Sequence, residues 1–316
     1  MDKKKNLAAK KALCLALACA MLAGAALALA SCGGGGPDAT TATTAATTTA
    51  AATTTAATTT ATTTAEADTA VAAESDGGGK LICGVTDFEP MNYKDAGGNW
   101  TGFDTEFARL VGEKLGMEVE FQEIEWGSKY SELEAGAINC IWNGFTANAD
   151  EADGMKRSDK VDFSYSYMLN QQCVVIKAAR DGDFKSLMEL EGKAAAAEKG
   201  SAGETFARNV IGGGTVVDSA AQINTLLEVK SGAVDFAVID ILLAQKLVGE
   251  GDYSDLKIAD IELESEVYAV GFKKGSPLTE KANGAMKELY DEGKLAELAA
   301  KYGLENTLQL DTTFKG

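Results

Sequence analysis

The sequence predicts an α/β fold of two lobes, each a mainly parallel sheet flanked by helices. Three observations predict it. Between Leu81 and Trp142, short apolar runs alternate with helical patterns, as they do when strands lie parallel and helices form the crossovers. From Lys193 to Asp240 a second strand–helix series follows with similar spacing and no repeated sequence. The chain's 316 residues, 46% hydrophobic and 24% charged, suffice for about two cores.

In chain order, Leu81-Ile82-Cys83-Gly84-Val85 is an apolar run that suits a buried strand. It is stopped by Thr86-Asp87-Phe88-Glu89-Pro90, where proline forbids continuation. Asp95-Ala96-Gly97-Gly98-Asn99 reads as a hairpin turn. Phe103, Phe107, Leu110, Val111 and Leu115 then fall on one helical face, with Asp104 suiting the N-terminus and Gly116 the stop. Residues 117–124 alternate apolar and acidic, a half-exposed strand ended by Trp126. Residues 128–135 read as a helix with Gly136 as its cap, and 137–142 as the next strand. That strand runs into Asn143-Gly144-Phe145-Thr146, a turn whose backbone polar groups are open to a small charged molecule, and Val161 to Tyr167 is extended again.

Residues 172–177 form a long apolar strand. The second series has strands at 193–198, 215–218 and 234–239, helices at 204–210 and 222–230, and the turn Gly200-Ser201-Ala202-Gly203. A strand at 268–272 and amphipathic helices at 278–288 and 295–301 close the chain and must dock on one of the two lobes. In a doubly wound sheet the ligand site lies beyond the carboxyl ends of the strands, where Phe88, Trp126 and residues 143–146 all fall.

The N-terminal quarter is of another kind. Lys3, Lys4, Lys5, Lys10 and Lys11 precede a continuously small or apolar run from Ala12 to Ala30, the pattern of a signal peptide. A transmembrane anchor is the competing reading on length alone, but the run is mostly alanine and ends in Leu29-Ala30-Ser31-Cys32. That tetrad resembles a lipoprotein processing box, in which Cys32 carries lipid. Residues 33–79 are rich in Gly, Thr and Ala with almost no large apolar side chain, and are expected to be a disordered tether.

The formal charge is −18, and removal of a signal holding five lysines and one aspartate leaves the mature chain more acidic still. So acidic a globule suits an exported soluble domain and disfavours nucleic acid. Of six cysteines, Cys83, Cys140 and Cys173 lie within the globular part, inside apolar runs, and read as small buried hydrophobes with no CxxC pair to suggest zinc or redox chemistry. There is no histidine, which removes Ser-His-Asp and Cys-His catalysis and histidine-ligated metals. No cofactor is expected.

The ordered set Gly84-Val85-Thr86-Asp87-Phe88-Glu89-Pro90, Gly102-Phe103-Asp104, Trp126, Asn143-Gly144-Phe145-Thr146, Asp162-Phe163-Ser164, Leu190-Glu191-Gly192-Lys193, Gly200-Ser201, Gly232-Ala233-Val234-Asp235 and Asp240 resembles the polar-amino-acid solute-binding proteins of ABC importers, family 3 of the bacterial extracellular solute-binding proteins. It covers essentially everything from Lys80 onward. The resemblance implies a two-lobed, type II periplasmic-binding-protein-like fold that closes over its ligand. It implies residues 80–176 as the first part of lobe 1, 177–267 as lobe 2 and 268–316 as the return to lobe 1, behind a signal at 1–31 and a tether at 32–79. Its two hinge strands would lie near 175–178 and 267–271.

Carried over residue by residue, Asp240 matches the carboxylate that holds the ligand's α-ammonium through a charge-assisted hydrogen bond. Gly144 and Thr146 match the turn that meets the ammonium and the α-carboxylate, and Ser201 and Ala202 the helix-start amides that complete the carboxylate pocket. Phe88 and Trp126 match aromatic walls, each with core packing as its alternative. Asp87, Asn143 and Phe145 belong to the same two loops. One departure is informative: the carboxylate-clamping arginine usually stands five residues past the position of Thr146, where this chain has Glu151. Arg157, after a segment longer than usual, is the candidate to replace it; without it, Asp150, Glu151 and Asp153 would favour a cationic ligand.

The expected function is therefore an extracytoplasmic, lipid-anchored, monomeric binding protein that delivers an amino acid to a membrane permease. A ligand-sensing surface domain and a dehydratase-like enzyme on the same fold are the alternatives.

Overall fold

The computed structural model describes residues 79–316. The expected signal peptide, the lipidation of Cys32 and all but the last residue of the tether lie outside the described residues. In order, the elements are β1 (Lys80–Val85), β2 (Tyr93–Lys94), β3 (Trp100–Thr101), α1 (Phe103–Leu115), β4 (Glu118–Glu123), α2 (Lys129–Glu134), β5 (Cys140–Ile141), α3 (Arg157–Lys160), β6 (Asp162–Phe163) and β7 (Ser166–Lys177). They continue with β8 (Ala194–Glu198), α4 (Ala202–Val210), β9 (Thr215–Ser219), α5 (Gln222–Ser231), β10 (Phe236–Asp240), α6 (Ile241–Leu247), β11 (Leu256–Ile258), β12 (Ser265–Tyr268), β13 (Gly271–Phe272), α7 (Leu278–Asp291), α8 (Lys294–Tyr302) and β14 (Leu308–Asp311).

Two sheets result. The first runs β4-β1-β5-β13-β6, with β1 parallel to β4 and β5, and β13 antiparallel to its neighbours. The second runs β11-β7-β10-β8-β9, with β10, β8 and β9 parallel and β7 antiparallel to β10. Both faces of each sheet are covered, which explains why the strands read as nearly continuous apolar runs. On β10, Phe236 and Val238 enter one buried cluster while Ala237 and Ile239 enter another, the period of two that a pleated strand imposes. On the first sheet, Ile141 packs with Phe145, Val161 and Phe163 on one side, while Cys83 and Cys140 join Phe103 and Phe107 on the other.

The lobes are joined where β7 changes partners. Its first half pairs with β12, from Gln171↔Ser265 to Met168↔Tyr268, and with β14. Its second half, from Gln172 to Lys177, pairs with β10 and β11 inside the second sheet. The passage between lobes thus falls near Asn170–Gln172, several residues before the expected 175–178, because Val174 and Ile176 are already packed in the second core. The chain returns at 268–272, which is not one strand: β12 lies along β7, and three residues later β13 joins the first sheet.

One other expectation changes. The strand expected at 137–142 reduces to Cys140–Ile141, because the Asn139 side chain takes the Ile82 N–H at 2.8 Å that a longer strand would use. The apolar residues after Asp240 are a helix, α6, whose Leu242 and Leu243 are buried. The closing helices dock on α1: Lys114 pairs with Glu288 and Glu292, and the Tyr302 hydroxyl donates to Glu106 at 2.6 Å and accepts the Gly102 N–H at 3.1 Å.

Candidate functional site

Phe88, Trp126, Asn143, Gly144, Thr146, Arg157, Ser201, Ala202 and Asp240 line one small cavity between the two sheets, together with Glu198 and Gln222. It holds about 10 Å³ of space for the centre of a water molecule, about one water. The walls therefore stand close, and admission of a larger molecule requires the lobes to separate.

The first lobe's turn is built to fixed geometry. Gly144 has φ 54°, and a Cβ there would stand 2.5 Å from Phe88 Cε1, so both backbone and space demand glycine. Its N–H donates at 2.6 Å to Asp104 Oδ2, which also accepts from the Tyr167 hydroxyl at 2.9 Å. Asp104 is buried beneath the turn, and burial pushes its carboxyl up to about 7 against the lowering effect of those two bonds. Asn143 ties the turn to β1's end: its Oδ1 accepts from Thr86 N–H and Oγ1 at 3.0 and 2.7 Å, and its Nδ2 donates to the Thr86 carbonyl at 3.0 Å.

Arg157 opens α3 and is almost fully buried. Its Nη1 donates to the Thr146 carbonyl at 2.9 Å and its Nη2 to the Gly200 carbonyl at 3.4 Å, while the guanidinium lies over the Phe145 ring at 5.1 Å. Glu151, which stands at the arginine's expected place, is its counter-ion, with Oε1 3.1 Å from Nε though off the line of that N–H. The longer segment thus carries an arginine into the cavity from a different point along the chain and supplies its partner.

The second lobe contributes strand ends and a helix start. Ser201 caps α4, its Oγ accepting the Glu204 N–H at 3.0 Å, which leaves the Ala202 and Gly203 amides at a first turn with no intrahelical acceptor. Such a terminus favours an anion. Gly203 lets α4 sit against β10, since a Cβ there would be 2.6 Å from the Val238 carbonyl oxygen. Asp240 ends β10 and is buried. Its Oδ1 accepts from Tyr268 Oη at 2.8 Å, Gln172 Nε2 at 3.1 Å and Asn170 Nδ2, and its Oδ2 from Gln222 Nε2. Burial raises its pKa and these four neutral donors oppose the rise.

Two residues expected in the site lie elsewhere. Asp87 is exposed and does not line the cavity, because the loop turns Phe88 inward in its stead. Phe145 is core: it packs edge-on against Trp126 and tilted against Phe163, and reaches the site only as the ring beneath Arg157. The Thr146 hydroxyl, expected to meet a carboxylate, donates to Glu266 Oε2 at 3.1 Å.

Three charged residues were not singled out from sequence. Lys129, buried on α2, donates from Nζ to the Gly200 carbonyl at 2.8 Å, and burial pushes its ammonium down to about 7, helped by the Arg157 charge. Glu198 ends β8 as Asp240 ends β10, so the criterion that found one would have found both; burial and the Asp240 charge push it up to about 8. Glu266, on β12, is pushed up to about 7 by burial and by Asp240.

Two sheets joined by paired crossover strands, with an acid, an arginine and a helix start converging between them, define a two-lobed solute-binding protein of the periplasmic-binding type. Comparison with known proteins agrees. Residues 81–305 match the model of the bacterial extracellular solute-binding proteins, family 3, and the chain belongs to that family of amino-acid-binding proteins of ABC transporters. It is 32% identical over 227 residues to the arginine-binding extracellular protein ArtP of Bacillus subtilis, covering 71% of this chain and 86% of ArtP. It is 28% identical over 217 residues to the L-cystine-binding protein TcyA of the same organism, covering 68% and 77%. Among solved structures, an ancestral arginine-binding protein bound to arginine aligns with TM-score 0.65 and 30% identity over 71% of this chain and 97% of that one.

Proposed function

We propose that this protein is a lipid-anchored, extracytoplasmic binding protein that captures an α-amino acid between its lobes and delivers it to an ABC importer. One observation carries the reading: Asp240, the Arg157 guanidinium and the start of α4 converge on a single buried cavity between the sheets. Asp240 would hold the ammonium; Arg157 and the Ala202 and Gly203 amides would hold the carboxylate. Phe88 and Trp126 would enclose the side chain. Cys32 would carry the lipid.

The charges of an amino acid match both lobes at once, so bound ligand favours the closed arrangement by population shift. No step in that cycle needs a covalent change, and the relatives named above are binding proteins, which supports capture without turnover. The relatives' own ligands, arginine and cystine, differ in charge, so membership of the family does not choose between them. Calorimetric titration of the protein with the common amino acids tests the proposal. Saturable binding of at least one, lost in Asp240→Ala, is expected; no binding by any of them would contradict it.

A further inference from the structure

We propose that the cleft selects an amino acid bearing a second positive charge, and that Glu266 and Glu198 are the residues that select it. The inference rests on the proposed amino-acid function and names the substrate class.

Glu266 and Asp240 form one unit. The Asn170 amide nitrogen donates to Asp240 Oδ1 and, at 3.0 Å, to Glu266 Oε2; the Gln172 amide nitrogen donates to the same two oxygens at 3.1 and 2.9 Å. Two carboxylates are thus clamped by two shared donors, with the hydroxyls of Thr146 and Tyr268 completing the set. Every one of these donors is neutral. Glu198 adds a third buried carboxylate from the end of β8.

The two nearby cations are shared among these acids: Arg157 acts on Glu198, Glu266 and its own partner Glu151, and Lys129 on Glu198. Arg157 is directed to the carbonyls of Thr146 and Gly200 and to Glu151. Lys129 Nζ is directed to the carbonyls of Gly200 and Trp126. An α-ammonium matches one acid of the three; an amino acid with one positive and one negative charge adds no net charge to the rest.

A second observation is independent of charge. Asn170 Oδ1, Gln172 Oε1 and Glu198 Oε1 are buried acceptors with no hydrogen-bond partner. Their side chains are each at least nine-tenths buried. A buried acceptor left unpaired is destabilising, and a ligand end rich in N–H groups would satisfy those of Gln172 and Glu198, which line the two cavities. Gln172 and Glu266 also form a wall of a larger cavity of about 570 Å³ beside the site, whose rim carries Asp150, Glu262 and Glu264. A long cationic side chain passing Ala202, which lines both cavities, would leave Asp240 and Glu198 behind it and meet Glu266, Asp150, Glu262 and Glu264 ahead.

The same cluster couples selection to protons. Glu266 faces Asp240, Arg157 and the Tyr268 hydroxyl, and Glu198 faces Asp240, Lys129 and Arg157. Lys129 in turn faces Arg157, Glu151, Glu198 and Lys160, while the Cys173 thiol, pushed up by burial, faces Asp240. Burial and the Asp240 charge, opposed by Arg157 and, at Glu198, Lys129, hold Glu266 and Glu198 partly protonated near neutral pH. An entering cation displaces those protons.

The test is calorimetry of the detergent-solubilised full chain with L-arginine, L-lysine, L-glutamine and L-glutamate, at pH 7.5 in two buffers of different ionisation enthalpy. Arginine or lysine is expected to bind about 100-fold or more tighter than glutamine, about 2.7 kcal/mol, with release of about one proton, the scale of one displaced carboxyl proton. Glu266→Gln and Glu198→Gln, isosteric and free of the buried charge, should each keep the melting transition, reduce the arginine preference about tenfold or more and diminish the proton release. Glutamine bound as tightly as arginine, or arginine bound with no proton exchange and unaffected by either variant, would overturn the selection while leaving amino-acid binding standing. Binding of none of the four and of no other amino acid would overturn both.

Discussion

Lys129, from the first lobe, donates its ammonium to the backbone carbonyl of Gly200 in the second, at 2.8 Å, across the floor of the cleft. Arg157 reaches the same oxygen at 3.4 Å. One carbonyl at the turn before α4 therefore receives the two buried cations Lys129 and Arg157 of the other lobe, with the second lobe's Glu198 carboxylate acting on both charges. Lys129→Met, similar in length, should loosen the closed state. Small-angle scattering should show a larger radius of gyration, and amino-acid dissociation should be several-fold faster, as loss of about 1 kcal/mol implies. Unchanged scattering and dissociation would make Lys129 a packing residue only.

Arg157 is expected to be the carboxylate clamp that the segment after Thr146 otherwise lacks. Arg157→Ala should abolish measurable binding, and Arg157→Lys should lose about tenfold or more, because a point charge replaces a planar fork. Lys156→Ala, at an exposed neighbour, is the control and should leave affinity unchanged. Equal effects of the alanine changes at 156 and 157, read by calorimetry, would reject the clamp.

Asp104 acts through Gly144. It touches no ligand position; its carboxylate holds the turn's N–H at 2.6 Å from beneath. Asp104→Asn keeps the size but changes an acceptor into a mixed amide, and should lower affinity about three- to tenfold, on the scale of one buried hydrogen bond. Gly144→Ala should cost more, since φ 54° and the 2.5 Å approach to Phe88 leave no room for the methyl. Retention of full affinity by both would show the turn to be tolerant.

Stability should fall as pH rises through neutrality. Asp104, Glu198 and Glu266 have folded pKa values of about 7, 8 and 7, above their ordinary values of 3.8, 4.5 and 4.5. The folded state therefore binds more protons, its advantage is complete below about pH 4 and is lost as pH rises through about 7–8. Lys129, lowered to about 7, opposes this only above that pH. The melting temperature should be lower at pH 7.5 than at pH 5 by about 5 °C or more, and a cationic ligand should narrow the difference. A rise over that interval would contradict the buried acid cluster.

Much of this was legible in the sequence for specific reasons. The end of β10 at Asp240, and the turns carrying Phe88 after β1 and Thr146 after β5, follow from apolar runs meeting polar turns, and the αL glycines Gly116 and Gly136 marked helix ends where the chain uses them. The partner change within β7 was not legible, because a strand buried in two successive environments reads as one apolar run. Lys129 gave no signal: a lysine opening a helix normally projects into water, and here the Trp126, Tyr130 and Phe145 rings and the Gly200 turn enclose it. Glu266 sits in a stretch of alternating acids whose exposed members, Glu262 and Glu264, conceal the inward one. Asp87 and Phe145 were expected beside the cavity together with Phe88, Gly144 and Thr146, which line it; Asp87 and Phe145 do not, as neighbours along such loops point to opposite sides.

Whether Asp240 and Arg157 hold the two ends of an amino acid between the lobes is tested by one titration series. Calorimetry of the wild-type protein, Asp240→Ala and Arg157→Ala against the tightest-binding amino acid should show binding in the first and none in either variant, with all three melting cooperatively. Unchanged affinity in either folded variant would contradict the account.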